Sequence, residues 1–189
     1  MPEQASSPRI SPLLPPYDPQ TEASLRKWMP AGAEVEPLKL FRTLNVHADL
    51  ASRMRALGAG ILGHGLIEPH ERELLILRTC ARAGAEYEWG VHVPAFAKPL
   101  GFSDEQLAAS AIGDSQDPAW SEADAELVAL ADELHDTASV SEGLWAKLAL
   151  RFSEQQLLEL LVIAGWYRLL AYVINAVGIE REPWAARFP

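Results

Sequence analysis

A carboxylate and an imidazole lie one helical turn apart in the segment 85–92. This segment reads AEYEWGVH, and it places Glu88 and His92 at positions i and i+4, on one face of a helix. A carboxylate beside an imidazole favours the charged histidine and orients its ring, so the pair can relay a proton. The two side chains could also ligate a metal, but they are too few, and no other histidine has a spacing that completes a site. We therefore expect proton transfer here, without a metal ion.

A second carboxylate, Glu73, falls on the apolar face of the preceding helix. Its neighbours at i+3, i+4 and i+7 are Ile76, Leu77 and Cys80, so its side chain is predicted to point into the core. A buried carboxylate must find a partner or take up a proton, and either outcome suits general acid–base chemistry. The alternative is a buried glutamate that only braces the fold.

The elements that carry these residues are all predicted to be helices. No segment alternates between apolar and polar residues with the period of a strand, so the fold class is all-α. Pro94 is expected to kink or split the helix that carries His92. Helices are predicted at 21–29, 38–47, 49–57, 69–83, 86–98, 104–112, 122–137, 141–150 and 154–177.

A glycine cluster follows the third of these helices. Gly58, Gly60 and Gly63 match the string G-x-G-x-x-G, which binds a dinucleotide only between a strand and a helix. Because a helical pattern precedes the glycines, we interpret the match as accidental. The glycines are expected to end a helix and to allow close packing.

Composition restricts the class of protein further. The 189 residues carry a net charge of −10, which argues against nucleic acid or an anionic membrane as partner. The stretch 39–82 is nevertheless locally basic, which suits a small anionic ligand. We expect a proline-rich extended arm at 1–20, one helical domain at 21–180 and a tail at 181–189. The apolar stretch 157–177 contains Arg168, so we interpret it as a buried or subunit-interface helix of a cytoplasmic homo-oligomer.

Several stretches resemble the carboxymuconolactone decarboxylase family, which includes the alkylhydroperoxidase D-like proteins. The resemblance implies an alkylhydroperoxidase D-like helical bundle and a homo-oligomer. It is carried by the stretches ERELLILR (71–78), EYEWGVHVP (86–94), GFSDEQ (101–106), ADELH (131–135) and GWYRLLAY (165–172).

In the peroxidase branch of the family, the resemblance implies a C-x-x-C pair seven and four residues before a histidine, and a glutamate on the preceding helix. If His92 is that histidine, the glutamate is Glu73, and the two thiol positions hold Ala85 and Glu88. The single cysteine of the chain, Cys80, lies five residues before the first thiol position. Dithiol peroxidase chemistry is therefore disfavoured.

The remaining relay points to the decarboxylase branch and to a cofactor-free enzyme acting on a small carboxylated lactone or related acid. Glu73, Glu88 and His92 are the predicted catalytic residues. Predicted substrate-binding residues are Arg72, Arg78, Tyr87 and Trp89. The alternatives are a peroxidase-related oxidoreductase and a non-catalytic ligand-binding protein of the same fold.

Overall fold

The computed structural model describes residues 7–30 and 32–189, and helices are the only regular secondary structure in this part of the chain. The all-α prediction is confirmed. The α-helices are α1 (Pro19–Arg26), α2 (Lys39–Leu44), α3 (Ala48–Gly63), α4 (Pro69–Arg82), α5 (Glu86–His92), α6 (Asp104–Ile112), α7 (Glu122–Thr137), α8 (Glu142–Arg151) and α9 (Glu154–Val177). A 3₁₀ turn, Asn45–His47, continues α2, and a π-helical turn, Val93–Ala97, continues α5.

Local sequence signals account for most helix ends. Ser103 and Ser153 each accept a hydrogen bond from the backbone three residues on, in the capping boxes that open α6 and α9. Gly178 ends α9 with φ = 74°, a left-handed conformation that glycine adopts without steric cost. Capping therefore sets where these helices begin and end.

Helix α4 lies at the centre of the bundle. Its residues from Glu73 to Cys80 are all buried, and it packs against α5, α6, α7 and α9. Because α4 is enclosed in this way, a charged group on it is removed from water unless another side chain of the bundle meets it.

Helix α3 differs from its sequence prediction. It does not end before the glycine cluster but continues to Gly63, so Gly58 and Gly60 lie inside it. The reason at Gly58 is a close approach: a Cβ there would lie 3.0 Å from the Trp166 indole of α9. The close packing was therefore predicted correctly, and the helix end was wrong.

Pro94 splits the helix after His92, as predicted. The backbone widens into the π-helical turn, in which the Lys98 amide donates to the Val93 carbonyl at 3.0 Å. Proline has no amide hydrogen and clashes with the carbonyl four residues earlier, so a regular α-helix cannot continue through it.

The described ends of the chain lie against the helical domain. Residues 1–6 of the predicted arm lie outside the described residues. In the rest of the arm, Arg9 donates its backbone amide to the Val177 carbonyl at 2.8 Å. In the predicted tail, the Ala186 amide donates to the Gly90 carbonyl at 2.9 Å, so this segment covers α5. The tail is thus packed against the helix that carries His92.

Helix α9 is long and apolar enough to cross a membrane, and it is the one such helix among the described residues. Half of its most apolar window is buried inside the protein. The exposed side of α9 nevertheless carries Leu158, Val162, Leu169 and Tyr172. This apolar face has no partner among the described residues.

Candidate active site

Three titratable side chains meet between α4 and α5. His92 Nδ1 lies 2.8 Å from Glu73 Oε1, and His92 Nε2 lies 3.6 Å from Glu88 Oε1. All three side chains are buried, with Glu73 fully inaccessible. The structure therefore brings together the three residues predicted to be catalytic, with a carboxylate facing each nitrogen of the imidazole.

The two carboxylates determine the charge of His92. Burial alone would lower its pKa, but Glu73 and then Glu88 outweigh the burial and raise the pKa from 6.5 to about 10. At neutral pH, His92 is therefore an imidazolium that donates from Nδ1 to Glu73. Its Nε2–H points towards Glu88 at more than hydrogen-bond length, so a substrate atom could compete for this proton.

Each carboxylate has a buried oxygen without a hydrogen-bond partner. These are Glu73 Oε2 and Glu88 Oε2, both buried and unpartnered among the described residues. A buried carboxylate oxygen without a donor is costly, and such groups are concentrated at functional sites. Of these two residues, only Glu88 lines a cavity.

The cavity has a volume of about 520 Å³ and a largely apolar wall. His92 and Glu88 form part of that wall, next to Phe96 and Tyr167, whose rings lie 4.9 and 5.1 Å from the imidazole. The Tyr167 hydroxyl is held neutral, because burial and then the carboxylates Glu88 and Glu73 raise its pKa well above the usual value. The His92 imidazolium is therefore the stronger acid of these two groups.

The predicted substrate-binding residues lie elsewhere. Arg78 is buried and donates to both Asp132 oxygens, from Nε at 2.6 Å and from Nη2 at 2.9 Å. Tyr87 donates its hydroxyl proton to Glu182 at 2.7 Å, and this hydroxyl accepts the Leu40 amide. Both side chains are fully occupied in holding helices together.

Trp89 and Arg72 also lie outside the cavity wall. Trp89 donates from its indole to Ser110 at 3.0 Å and packs against Phe188 of the C-terminal segment. Arg78, Tyr87 and Trp89 therefore lie away from the cavity wall, and their contact with substrate stays a prediction. Arg72 is half-buried on α4, one position from Glu73, and its Nε has no partner among the described residues.

The structure assigns the cavity wall to residues that sequence reasoning missed. Trp28 and Arg55 come from the segment after α1 and from α3, and Trp184 comes from the C-terminal segment. They are distant in sequence, and no shared motif links them. The one local signal is Gly58, whose missing side chain admits the Trp166 indole beside the cavity.

The single cysteine does not reach the site. Cys80 is fully buried among apolar residues of α4 and does not line the cavity. Burial, then Glu88 and then Glu73 raise the pKa of its thiol well above the usual value. A neutral, enclosed thiol is a poor nucleophile.

The described residues contain no group of three or more His, Cys, Asp or Glu side chains placed to hold a metal ion. In the Glu73–His92–Glu88 array the two carboxylates face different nitrogens of one ring. Their oxygens therefore lie on different edges of the imidazole instead of converging on one point.

The fold and the buried array define the class of protein, an all-helical bundle of the alkylhydroperoxidase D-like type. The sequence model of the carboxymuconolactone decarboxylase family matches residues 48–133, the part of the chain that contains all three site residues. The match confirms the resemblance to this family that the sequence indicated.

Solved structures share the fold at low sequence identity. The debrominase Bmp8, a cysteine-to-alanine variant in complex with 2,3,4-tribromopyrrole, is 19% identical with a TM-score of 0.77, covering 95% of each chain. A peroxidase-related protein from Silicibacter sp. TM1040 is 13% identical with a TM-score of 0.77, covering 96% of each chain. A protein of unknown function from Agrobacterium tumefaciens, provisionally described as AhpD, is 16% identical with a TM-score of 0.67. It covers 74% of this chain and 94% of its own. No curated protein matches the sequence.

Proposed function

We propose that the protein is a cofactor-free acid–base enzyme that moves a proton to or from a carbon atom of a small organic acid or lactone. The observation that carries this proposal is the buried Glu73–His92–Glu88 array at the wall of a largely apolar cavity. Proton transfer requires a donor and an acceptor beside the reacting atom, and His92 and Glu88 fill these two roles.

Glu73 acts on the substrate only through His92. It accepts the Nδ1 proton, fixes the plane of the ring and holds the charge on the imidazolium. The Nε2–H is then the proton that can be given to substrate. Glu88, which lines the cavity, can take a proton from a carbon that is acidified by a neighbouring carbonyl.

The same array serves a decarboxylation or an isomerisation. In a decarboxylation, the carbon–carbon bond breaks, its electron pair delocalises into the lactone carbonyl as carbon dioxide leaves, and His92 protonates the carbon. In an isomerisation, Glu88 removes a proton from one carbon and returns it to another, while His92 donates a hydrogen bond to the enolate oxygen. Both reactions require His92 as the imidazolium.

Thiol-dependent chemistry is the alternative that the related structures suggest, since one is a debrominase and another is peroxidase-related. The positions where the family's thiol pair is expected hold Ala85 and Glu88, and Cys80 lies away from the cavity. These observations favour proton transfer. Peroxide consumption that disappears in Cys80→Ser would reverse this preference.

The experiment that tests the proposal follows carbon-bound hydrogen. Carboxymuconolactone and a panel of lactones and keto acids are incubated with the enzyme in D₂O, and NMR records deuterium incorporation and carbon dioxide release. We expect turnover in the wild type and its loss in His92→Ala and Glu88→Gln, with the helical circular dichroism unchanged. No turnover in any panel member, together with saturable ligand binding, would instead support the non-catalytic alternative.

We also propose that the protein is a homo-oligomer, with the exposed apolar face of α9 at the interface. A stripe of this length is larger than the scattered apolar residues normal on a monomer surface. Sedimentation of the wild type should give a mass above that of one chain, and Leu169→Glu should reduce it. A wild-type monomer at micromolar concentration would contradict the proposal.

A further inference from the structure

The cavity has two polar ends at different depths. The inner end is formed by Glu88 and His92, which are almost inaccessible to solvent. The outer end is formed by Arg55 on α3, which is half-buried, and by Lys27 after α1, which is exposed. A ligand in the cavity would therefore meet acid–base groups at depth and cations at the mouth.

The wall between these ends is apolar and rich in aromatic rings. Trp28 stacks on Phe41 with 4.7 Å between ring centroids, and Trp166, Phe96 and Trp184 add further rings. A volume of about 520 Å³ lies in the range of pockets that enclose drug-sized molecules. A single small lactone would leave much of this space unfilled, so the wall favours a larger, flat and apolar molecule.

Arg55 has no acidic partner in the described structure, unlike several other arginines of the protein. It makes neither an ion pair nor a hydrogen bond with any described residue, whereas Arg78, Arg82 and Arg151 are each paired with carboxylates. The chain has a net charge of −10, yet the half-buried Arg55 guanidinium at the cavity mouth has no counter-charge. Arg55 can therefore bind the anionic group of a ligand.

The inner end disfavours an anion for the same electrostatic reason. Glu73 and Glu88 already place two carboxylates around one imidazolium in a buried site. A third negative charge there would be repelled without screening by water. An anionic ligand should therefore enter with its charged group outermost. This orientation suits the isomerisation, because a decarboxylation would place the leaving carboxylate beside Glu88 and His92.

We propose that the cavity binds an apolar, ring-bearing organic anion, with the anionic group held at the mouth by Arg55 and Lys27 and the uncharged end against Glu88 and His92. This inference rests on the proposed function only for the reaction at the inner end. In this proposal the substrate is an aromatic organic acid, and Arg55, instead of Arg72 or Arg78, binds its acidic group.

Two fluorescent probes that differ only in charge can test the proposal. 1-Anilinonaphthalene-8-sulfonate carries a sulfonate, and N-phenyl-1-naphthylamine has the same ring scaffold without it. Arg55→Gln should weaken sulfonate binding by about fivefold, the upper range for a solvent-accessible ion pair. It should leave binding of the neutral probe within about twofold, because the aromatic wall is unchanged.

Matched variants separate the mouth from the rest of the surface. Arg53→Gln, on the same helix but outside the cavity wall, should leave the binding of both probes unchanged. Ala59→Trp, at an exposed lining position, should weaken the binding of both by filling the mouth. If Ala59→Trp has no effect, the probes bind elsewhere and the proposal is wrong.

The proposal is also overturned if Arg55→Gln weakens both probes equally or weakens neither. The probes do not react, so their binding is independent of turnover. Loss of charge-selective binding would refute the substrate class while leaving the acid–base chemistry standing. Normal probe binding without turnover would refute the chemistry alone.

Discussion

The Glu73–His92 contact should determine the pKa of His92 and the pH dependence of the protein's stability. Raising the pKa of His92 from 6.5 to about 10 corresponds to roughly 5 kcal/mol in favour of the imidazolium in the folded state. Glu73 lies nearer than Glu88, at 2.8 Å against 3.6 Å, and contributes the larger share. Glu73→Gln should therefore lower the pKa of His92 by about two pH units.

The sign of the stability effect follows from the raised pKa. Imidazolium stabilisation is complete below the unfolded pKa of 6.5 and is lost as the pH rises through the folded value of about 10. At pH 7, Glu73→Gln should be less stable than the wild type by about 3 kcal/mol, from the two-unit fall in pKa. The difference from this source should shrink towards zero above pH 10, where His92 is neutral in both proteins.

The assay is a histidine NMR titration, with the His92 resonance assigned by its absence in His92→Asn, combined with urea unfolding at pH 6, 8 and 10. Glu71→Gln is the matched control, because Glu71 is on the same helix but pairs with Arg151 at the surface. It should leave the titration of His92 unchanged. A His92 resonance that titrates near 6.5 in the wild type, or at the same pH in Glu73→Gln, would refute the reasoning.

Three further experiments test the packing around the site. Gly90→Ala places a Cβ 2.3 Å from a backbone carbonyl of the C-terminal segment and should lower the free energy of unfolding by about 1–3 kcal/mol. The control is Gly60→Ala, whose Cβ meets no other atom, and its thermal melt should be unchanged or shifted to higher temperature. Equal melting temperatures for both variants would contradict the contact at Gly90. Cys80 should resist a thiol reagent in native protein and react once urea unfolds it; rapid native labelling would contradict its burial. Asp132→Asn leaves the Arg78 guanidinium without its carboxylate and should cost about 3–5 kcal/mol in urea unfolding, and a loss below about 1 kcal/mol would show that the pair is dispensable.

The fold was predictable where single residues decide local geometry. The serines that cap α6 and α9, and Pro94 after His92, act through their own hydrogen bonds or ring closure, so the sequence is sufficient. The end of α3 was not predictable in this way. Gly58 lies inside the helix because an indole from α9 lies against it, and that contact depends on tertiary packing.

The candidate site likewise contains residues that local spacing predicts and residues that only tertiary packing brings together. Glu88 and His92 share a helix face and Glu73 lies on an apolar stripe, so short-range spacing brings out all three. Tyr87 and Trp89 do not line the cavity, because adjacency in sequence puts neighbouring residues on different faces of a helix. The cavity wall is instead assembled from five separate parts of the chain, and no local pattern encodes that assembly.

The aromatic wall of the cavity should also make intrinsic tryptophan fluorescence sensitive to ligand binding. Three of the six tryptophans, Trp28, Trp166 and Trp184, line this one space. Any ring that enters it replaces water or empty volume beside these indoles, and intrinsic emission should change in colour and intensity. Natural compounds with no fluorescence of their own can therefore be screened against the unlabelled protein, and the emission reports occupancy of this cavity directly.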